Sequence, residues 1–264
     1  MLDVHELRTV LDFAVAIARE AGELTLRHFG STLTVDRKSD DSPVTIADRG
    51  AEELLRRRIE STYPGHGILG EEFGEQPAAP GRPRWILDPI DGTFSFIHGV
   101  PLYCVLIGVE DAGRMRAGVI HMPALREMVC AGDGLGCWWD GRPARVSPEA
   151  RLSAARMLTT DLPLADRMGR GAAVERARRA VRHHRGWSDG YAYALLATGR
   201  AEVVLDPRMS LWDTAALVPV VQEAGGRVSD WRGRFDPYAP ELVATNGPIH
   251  DDVIALLAEA PAAS

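Results

Sequence analysis

The segment Asp88-Pro89-Ile90-Asp91-Gly92-Thr93 places two carboxylates three positions apart, where the apolar run Trp85-Ile86-Leu87 gives way to a turn. Proline fixes the backbone after Asp88, glycine permits close approach, and the amides of Gly92 and Thr93 can face an anion at a helix start. Such a segment can hold a hard cation and a phosphate together. An Asp-Gly pair on its own is more often a surface turn. The buried strand that delivers these two acids favours a site.

Two further segments supply acids. Glu71 and Glu72 follow Gly70, and a helix end, a turn and a loop can bring Glu71 back beside the strand before Asp88. Asp213 follows Trp212 at the start of an apolar helix, where it could equally serve only to complement the helix dipole. Oxygen donors alone point to Mg²⁺ or Mn²⁺ rather than zinc, and the histidines form no HExxH pattern. Two such ions about 3.5–4 Å apart would activate water and stabilise a leaving oxygen in an in-line phosphoryl displacement. Calcium storage fits worse, since no EF-hand spacing is present.

These acids need a scaffold. Apolar residues at helical spacing predict a helix over Leu7–Phe29, followed by a short strand over Thr32–Val35. Thr45-Ile46-Ala47-Asp48 forms a capping box for a second helix that stops at Tyr63-Pro64-Gly65. Alternating stretches at Tyr103–Glu110, Ala117–Met122 and Glu127–Ala131 predict a meander, so residues 1–147 form an α+β half with helices on an antiparallel sheet. From residue 148 to 264 strands and helices alternate as an α/β half: strand Met157–Thr160, helix Ala172–His184, helix Ser188–Ala197, strand Glu202–Leu205, helix Leu211–Ala224, strands Arg227–Ser229 and Leu242–Thr245, and helix Ile249–Ala258.

The 264 residues carry a formal net charge of −7, which argues against a general nucleic-acid binder or anionic-membrane binder. No apolar run approaches a membrane span, and Cys104, Cys130 and Cys137 are too few for a disulfide framework, so a reducing cytoplasm is expected. Lysine occurs once, at Lys38, among 30 basic residues. GC-rich coding would explain its rarity. Its survival before Ser39-Asp40-Asp41 and Thr45-Ile46-Ala47-Asp48 is the point of interest.

Gly70-Glu71-Glu72, Asp88-Pro89-Ile90-Asp91-Gly92-Thr93 and Trp212-Asp213-Thr214-Ala215-Ala216 with Glu223-Ala224-Gly225-Gly226 resemble, in order and spacing, the three motifs of the inositol monophosphatase family. The likeness extends from Lys38 to Asn246. It implies an αβαβα layered sandwich of the inositol monophosphatase and fructose bisphosphatase type, and a Mg²⁺-dependent, lithium-sensitive phosphomonoesterase that is usually a homodimer. Two to three ions are implied, with Mn²⁺ as a substitute. By motif position Glu71, Asp88 and the Ile90 carbonyl would hold one ion, and Asp88, Asp91 and Asp213 a second. Glu71 would also reach a weaker third. Thr93, paired with Asp48, would orient or deprotonate the attacking water, and the amides of Gly92 and Thr93 would hold the phosphate. Glu72 would support the ligands from behind, and Lys38 would face the acids as a compact point charge that arginine replaces poorly.

Ser95-Phe96-Ile97-His98-Gly99-Val100-Pro101-Leu102, Trp187-Ser188-Asp189-Gly190-Tyr191 and Met209-Ser210-Leu211-Trp212-Asp213 are most similar to the family's histidinol-phosphate phosphatase branch. That likeness implies L-histidinol phosphate as substrate, with Asp189 accepting its ammonium group, although an acid there could equally cap the helix. Phe94 stands where the branch often has lysine, and Ser188 replaces its usual glycine. Within Arg176–Arg185 a solvated helix face is expected for all but the last residues, with Arg185 a candidate contact to phosphate or to a partner subunit. An inositol-phosphate or broad sugar and cyclitol phosphate phosphatase is the main rival, ahead of bisphosphate nucleotidase and fructose bisphosphatase. A haloacid-dehalogenase-type phosphatase needs one residue between its aspartates, and this chain has two. A catalytically silent regulator on the same scaffold is the reading from a different class.

Overall fold

The computed structural model describes residues 1–31, 36–37 and 43–258. Lys38 and the expected strand Thr32–Val35 lie outside the described residues. In chain order the elements are α1 (Val4–Leu26), β1 (Asp36–Arg37), β2 (Pro43–Val44), α2 (Ile46–Thr62), β3 (Gly67–Gly70), β4 (Gly74–Gln76), β5 (Arg84–Asp91), α3 (Thr93–Ile97), β6 (Cys104–Asp111), β7 (Arg114–Met122), β8 (Glu127–Gly132), β9 (Gly136–Trp139) and β10 (Arg142–Pro143). There follow β11 (Arg156–Thr159), α4 (Leu162–Arg167), α5 (Gly171–Ala180), β12 (His183–Arg185), α6 (Asp189–Ala197), β13 (Val203–Asp206), α7 (Leu211–Glu223), β14 (Arg227–Ser229), β15 (Leu242–Thr245) and α8 (His250–Ala258). Residue 148, the expected division between halves, falls in the irregular connection between β10 and β11.

Local chemistry fixes the helix starts. Asp3 caps α1 in a capping box with Glu6, and α1 buries the stripe Leu7, Val10, Leu11, Ala14, Ile17, Ala18 and Ala21. Thr45 caps α2, with Asp48 closing the box onto the Thr45 N–H at 2.7 Å. These two helices cover one face of a sheet ordered β10-β9-β8-β7-β6-β5-β3-β4. α6 and α7 cover its other face and are shared with a second sheet, ordered β12-β11-β13-β15-β14. α4, α5 and α8 close the far side of that second sheet. The result is the expected αβαβα sandwich.

Two expectations need correction. The larger sheet is mixed, because β3 and β5 run parallel. β4 and the loop after it return the chain to the starting edge before β5 begins, so the second pass repeats the direction of the first. The expected helix over Ala172–His184 stops at Ala180, and His183–Arg185 forms β12, parallel to β11. The apolar row of α5 ends with Ala177, after which the Arg182 and His183 N–H groups bond to the Ala155 carbonyl. An edge strand with few buried side chains carries no apolar alternation, so its basic sequence looks helical.

α7 sits unusually close to the larger sheet. Gly108 and Gly118 face each other across β6 and β7, and a Cβ at Gly118 would lie 2.1 Å from the Ala216 carbonyl oxygen. Their missing side chains let Ala215, Ala216 and Pro219 of α7 lie directly against β6 and β7. That contact sets where the N-terminus of α7, and so Asp213, meets the end of β5.

Candidate active site

In a regular strand, residues three apart point to opposite faces. Asp88 and Asp91 do not, because the β5–β6 pairing shifts between Asp88↔Leu106 and Asp91↔Cys104. The irregularity, at Pro89-Ile90, turns both carboxylates the same way. With Asp213 they form a cluster whose ligand oxygens all lie within 4.8 Å of one another. Asp213 is held by the Ser210 N–H, which donates to Oδ2 at 2.6 Å. The dipole-complementing role and the cluster role therefore coexist in one side chain.

Glu71, Asp88, Ile90, Asp91, Gly92, Thr93, Asp189 and Asp213 all line one cavity of about 530 Å³. The Glu71 N–H bonds to the Leu87 carbonyl at 3.2 Å, which keeps the end of β3 in line with β5. Gly92 adopts the left-handed conformation, φ +83°, and turns the chain from β5 into α3. The Thr93 hydroxyl donates to the Ile90 carbonyl at 3.0 Å and stands 3.5 Å from Asp48 Oδ1. Asp48 is fully buried, and its other oxygen accepts the Thr45 hydroxyl at 2.6 Å.

Burial, followed by repulsion from Glu71, Asp91 and Asp213, pushes the Asp88 carboxyl far above the usual carboxylate range. Burial and the charges of Asp189 and Asp213 do the same to Asp91. Asp213 is pushed up to about 7, chiefly by burial, against the stabilising Ser210 N–H. Burial also raises Asp48. Packed carboxylates that resist ionisation are suited to a divalent cation, which removes their mutual repulsion. An all-oxygen donor set matches a hard ion.

Asp189 lines the same cavity beside Gly92, where a Cβ would lie 2.9 Å from its Oδ2, and is itself left-handed, φ +57°. The expected alternative, a capping role, is not what its side chain does. Oδ2 accepts the Ser188 hydroxyl at 2.6 Å, and its own N–H faces Thr160 Oγ1 at 3.4 Å. Burial pushes its carboxyl up to about 6. Asp91 accepts the N–H of the next residue, Gly190.

Two sequence candidates stand apart. Arg185 is exposed on the edge strand β12, with its guanidinium on the His184 carbonyl at 2.7 Å, and it does not line the cavity. The reason is that the basic run leaves its helix at Ala180 and ends on a sheet edge. Glu72 is also outside the cavity lining, and its backbone N–H points to Glu52 Oε2 at 2.7 Å. The sequence reading missed Thr160, Asp161, Arg167, Asp206 and Arg208, which also line the cavity. Asp206, the last residue of the buried strand β13, and Pro207 continue the run Val203-Val204-Leu205 much as Asp88-Pro89 continues the run Trp85-Ile86-Leu87, and that repeated pattern was the available signal. Asp206 is buried and accepts the Tyr193 hydroxyl at 2.7 Å.

An acid cluster at strand and helix ends inside an αβαβα sandwich defines a phosphoric monoester hydrolase of the metal-assisted class. The model of the inositol monophosphatase family matches residues 6–262, and the chain belongs to that family. A histidinol-phosphatase of Chlorobaculum parvum is 46% identical over 249 residues, covering 94% of this chain and 96% of that protein. A histidinol-phosphatase of Mycobacterium tuberculosis is 40% identical over 253 residues, covering 94% and 97%. Among solved structures, the extragenic suppressor protein suhB of Bartonella henselae superposes with a TM-score of 0.90 at 29% identity, covering 96% of this chain and 100% of that one.

Proposed function

We propose that the protein hydrolyses L-histidinol phosphate to L-histidinol and phosphate with Mg²⁺. The observation that carries this reading is the presence, in one cavity, of the Asp88, Asp91 and Asp213 cluster and a further carboxylate, Asp189, beside Gly92. The names of the two relatives support the substrate.

Glu71, Asp88 and the Ile90 carbonyl would hold one ion, and Asp88, Asp91 and Asp213 another, with Glu71 reaching a weaker third. Bound there, Mg²⁺ supplies Lewis acidity, polarising the phosphoryl group and lowering the pKa of water from about 15.7 towards 7. Thr93 Oγ takes a proton from the attacking water and passes its own to Asp48 Oδ1. Asp48 suits that role because burial already favours its protonated form. The water oxygen bonds to phosphorus as the ester P–O bond breaks, and the alcohol leaves with a proton from solvent. The Gly92 and Thr93 amides orient the phosphate, and Lys38 balances the charge of Glu71. Glu72 contributes through the backbone of its turn.

Asp189, ionised above about pH 6, attracts the ammonium group of an amino-alcohol phosphate. A neutral cyclitol phosphate gains nothing from a carboxylate there. Lithium inhibition and a homodimer belong to the same reading. It is tested by assaying a panel of phosphomonoesters with Mg²⁺, with and without Li⁺. L-histidinol phosphate should be turned over with the highest kcat/KM. A preference for inositol 1-phosphate would transfer the assignment to the rival branch.

A further inference from the structure

We propose that Glu52 is a positioning residue for Glu71, and that α2 thereby links the Glu71 turn to the Asp48–Thr93 pair. The inference rests on the reading of Glu71 as a metal ligand. Asp48, Glu52 and Arg56 stand at i, i+4 and i+8 on α2, so they form one row along the helix. The first member of that row faces Thr93.

Glu52 is 0% exposed. Its Oε2 accepts the Glu72 N–H at 2.7 Å, and its Oε1 accepts the Phe73 N–H at 3.2 Å. Oε1 also accepts Arg56 Nε at 2.8 Å, and the same guanidinium donates to the Gly74 carbonyl. The carboxylate is therefore seated inside the β3–β4 turn and fixes the two peptide units that follow Glu71. The turn is shaped around it, since a Cβ at Gly70 would lie 1.9 Å from Glu52 Oε1. On the other side, the Glu71 N–H is held by β5 through the Leu87 carbonyl. Glu71 is thus clamped between the strand that carries Asp88 and the helix that carries Asp48.

A buried carboxylate is unfavourable unless fully hydrogen-bonded and paired. A polar side chain of the turn itself could satisfy the same two N–H groups at the surface. Reaching in from α2 instead makes the direction of Glu71 depend on the helix that presents the proton acceptor. Groups that orient metal ligands from behind typically change metal affinity or activity about 10- to 100-fold when removed.

The test is calorimetric titration of the metal-stripped full chain with Mn²⁺ as probe, for wild type, Glu52→Gln, Arg56→Gln and Asp88→Asn. Glu52→Gln keeps the shape but turns an amide towards an N–H, and Mn²⁺ affinity should fall about 10- to 100-fold. The Mg²⁺ concentration for half-maximal rate should rise to match, with a smaller change in KM. Arg56→Gln should act in the same direction more weakly, and it carries the test alone if Glu52→Gln does not fold. Wild-type affinity in both variants, beside lost binding in Asp88→Asn, would overturn the role of Glu52 and leave the site reading intact. So would a lower thermal midpoint at unchanged affinity. Unchanged binding in Asp88→Asn would overturn the site reading itself.

Discussion

The carboxylate of Asp91, at the end of β5, accepts the backbone N–H of Gly190, the second residue of α6. The bond joins the sheet that carries the acid cluster to the helix that carries Asp189. It leaves no space for a side chain, because a Cβ at Gly190 would lie 2.8 Å from Asp91 Oδ2 and 3.2 Å from Cys104 Sγ. Gly190→Ala should therefore displace Asp91 and lower kcat by at least tenfold, while the thermal midpoint changes by only a few degrees. Steady-state kinetics and thermal unfolding check this, and an unimpaired kcat would show that the Asp91 position is not critical.

Asp189→Asn removes the charge and keeps the shape of the cavity beside Gly92. KM for an amino-alcohol phosphate should rise about tenfold or more, the loss of one charge-assisted contact, while turnover of inositol 1-phosphate is unchanged or improved. Equal losses on both substrates would place Asp189 in the common machinery instead.

The acid cluster predicts a definite pH dependence. Asp213, at about 7, and Asp88 and Asp91, raised in the same direction, hold protons more readily in the fold than in the unfolded chain, where carboxyls titrate near 4. Between about pH 4 and 7 the folded state binds more protons, so stability falls as pH rises through that window. Metal-free protein should therefore have a higher thermal midpoint at pH 5 than at pH 8. Added Mg²⁺ should stabilise it more at pH 8, where protons no longer compete for the carboxylates. A flat or rising midpoint in the metal-free protein would contradict the assignment.

Lys38→Arg keeps the positive charge but exchanges a compact ammonium for a broad planar fork. Activity should fall with little change in unfolding temperature. Full activity would return the single lysine to the level of codon usage.

The motif residues were legible because their chemistry is unusual at their positions. Asp88 and Asp91 lie towards the end of the buried strand β5 and Thr93 follows it, Asp48 closes a capping box, and Asp213 stands in the first turn of an apolar helix. Strand alternation alone could not show that Asp88 and Asp91 share a face, since that depends on a pairing shift with β6. Arg185 lies outside the cavity because the basic run ends on an edge strand, and exposed basic residues carry no periodicity that separates a solvated helix from such a strand. Asp206 and Glu52 were missed because each is defined by what surrounds it in space, the Tyr193 hydroxyl for one and the Glu71 turn for the other.

The most direct measurement compares phosphate release from L-histidinol phosphate by wild-type protein and by Asp88→Asn, each stripped of metal and then titrated with Mg²⁺. Wild-type release should depend wholly on added Mg²⁺. In Asp88→Asn it should fall by about a thousandfold or more at retained fold, the loss of several kcal/mol of transition-state charge stabilisation. Undiminished release by Asp88→Asn, or full release without any divalent metal, would contradict the assignment of the cluster as the catalytic metal site.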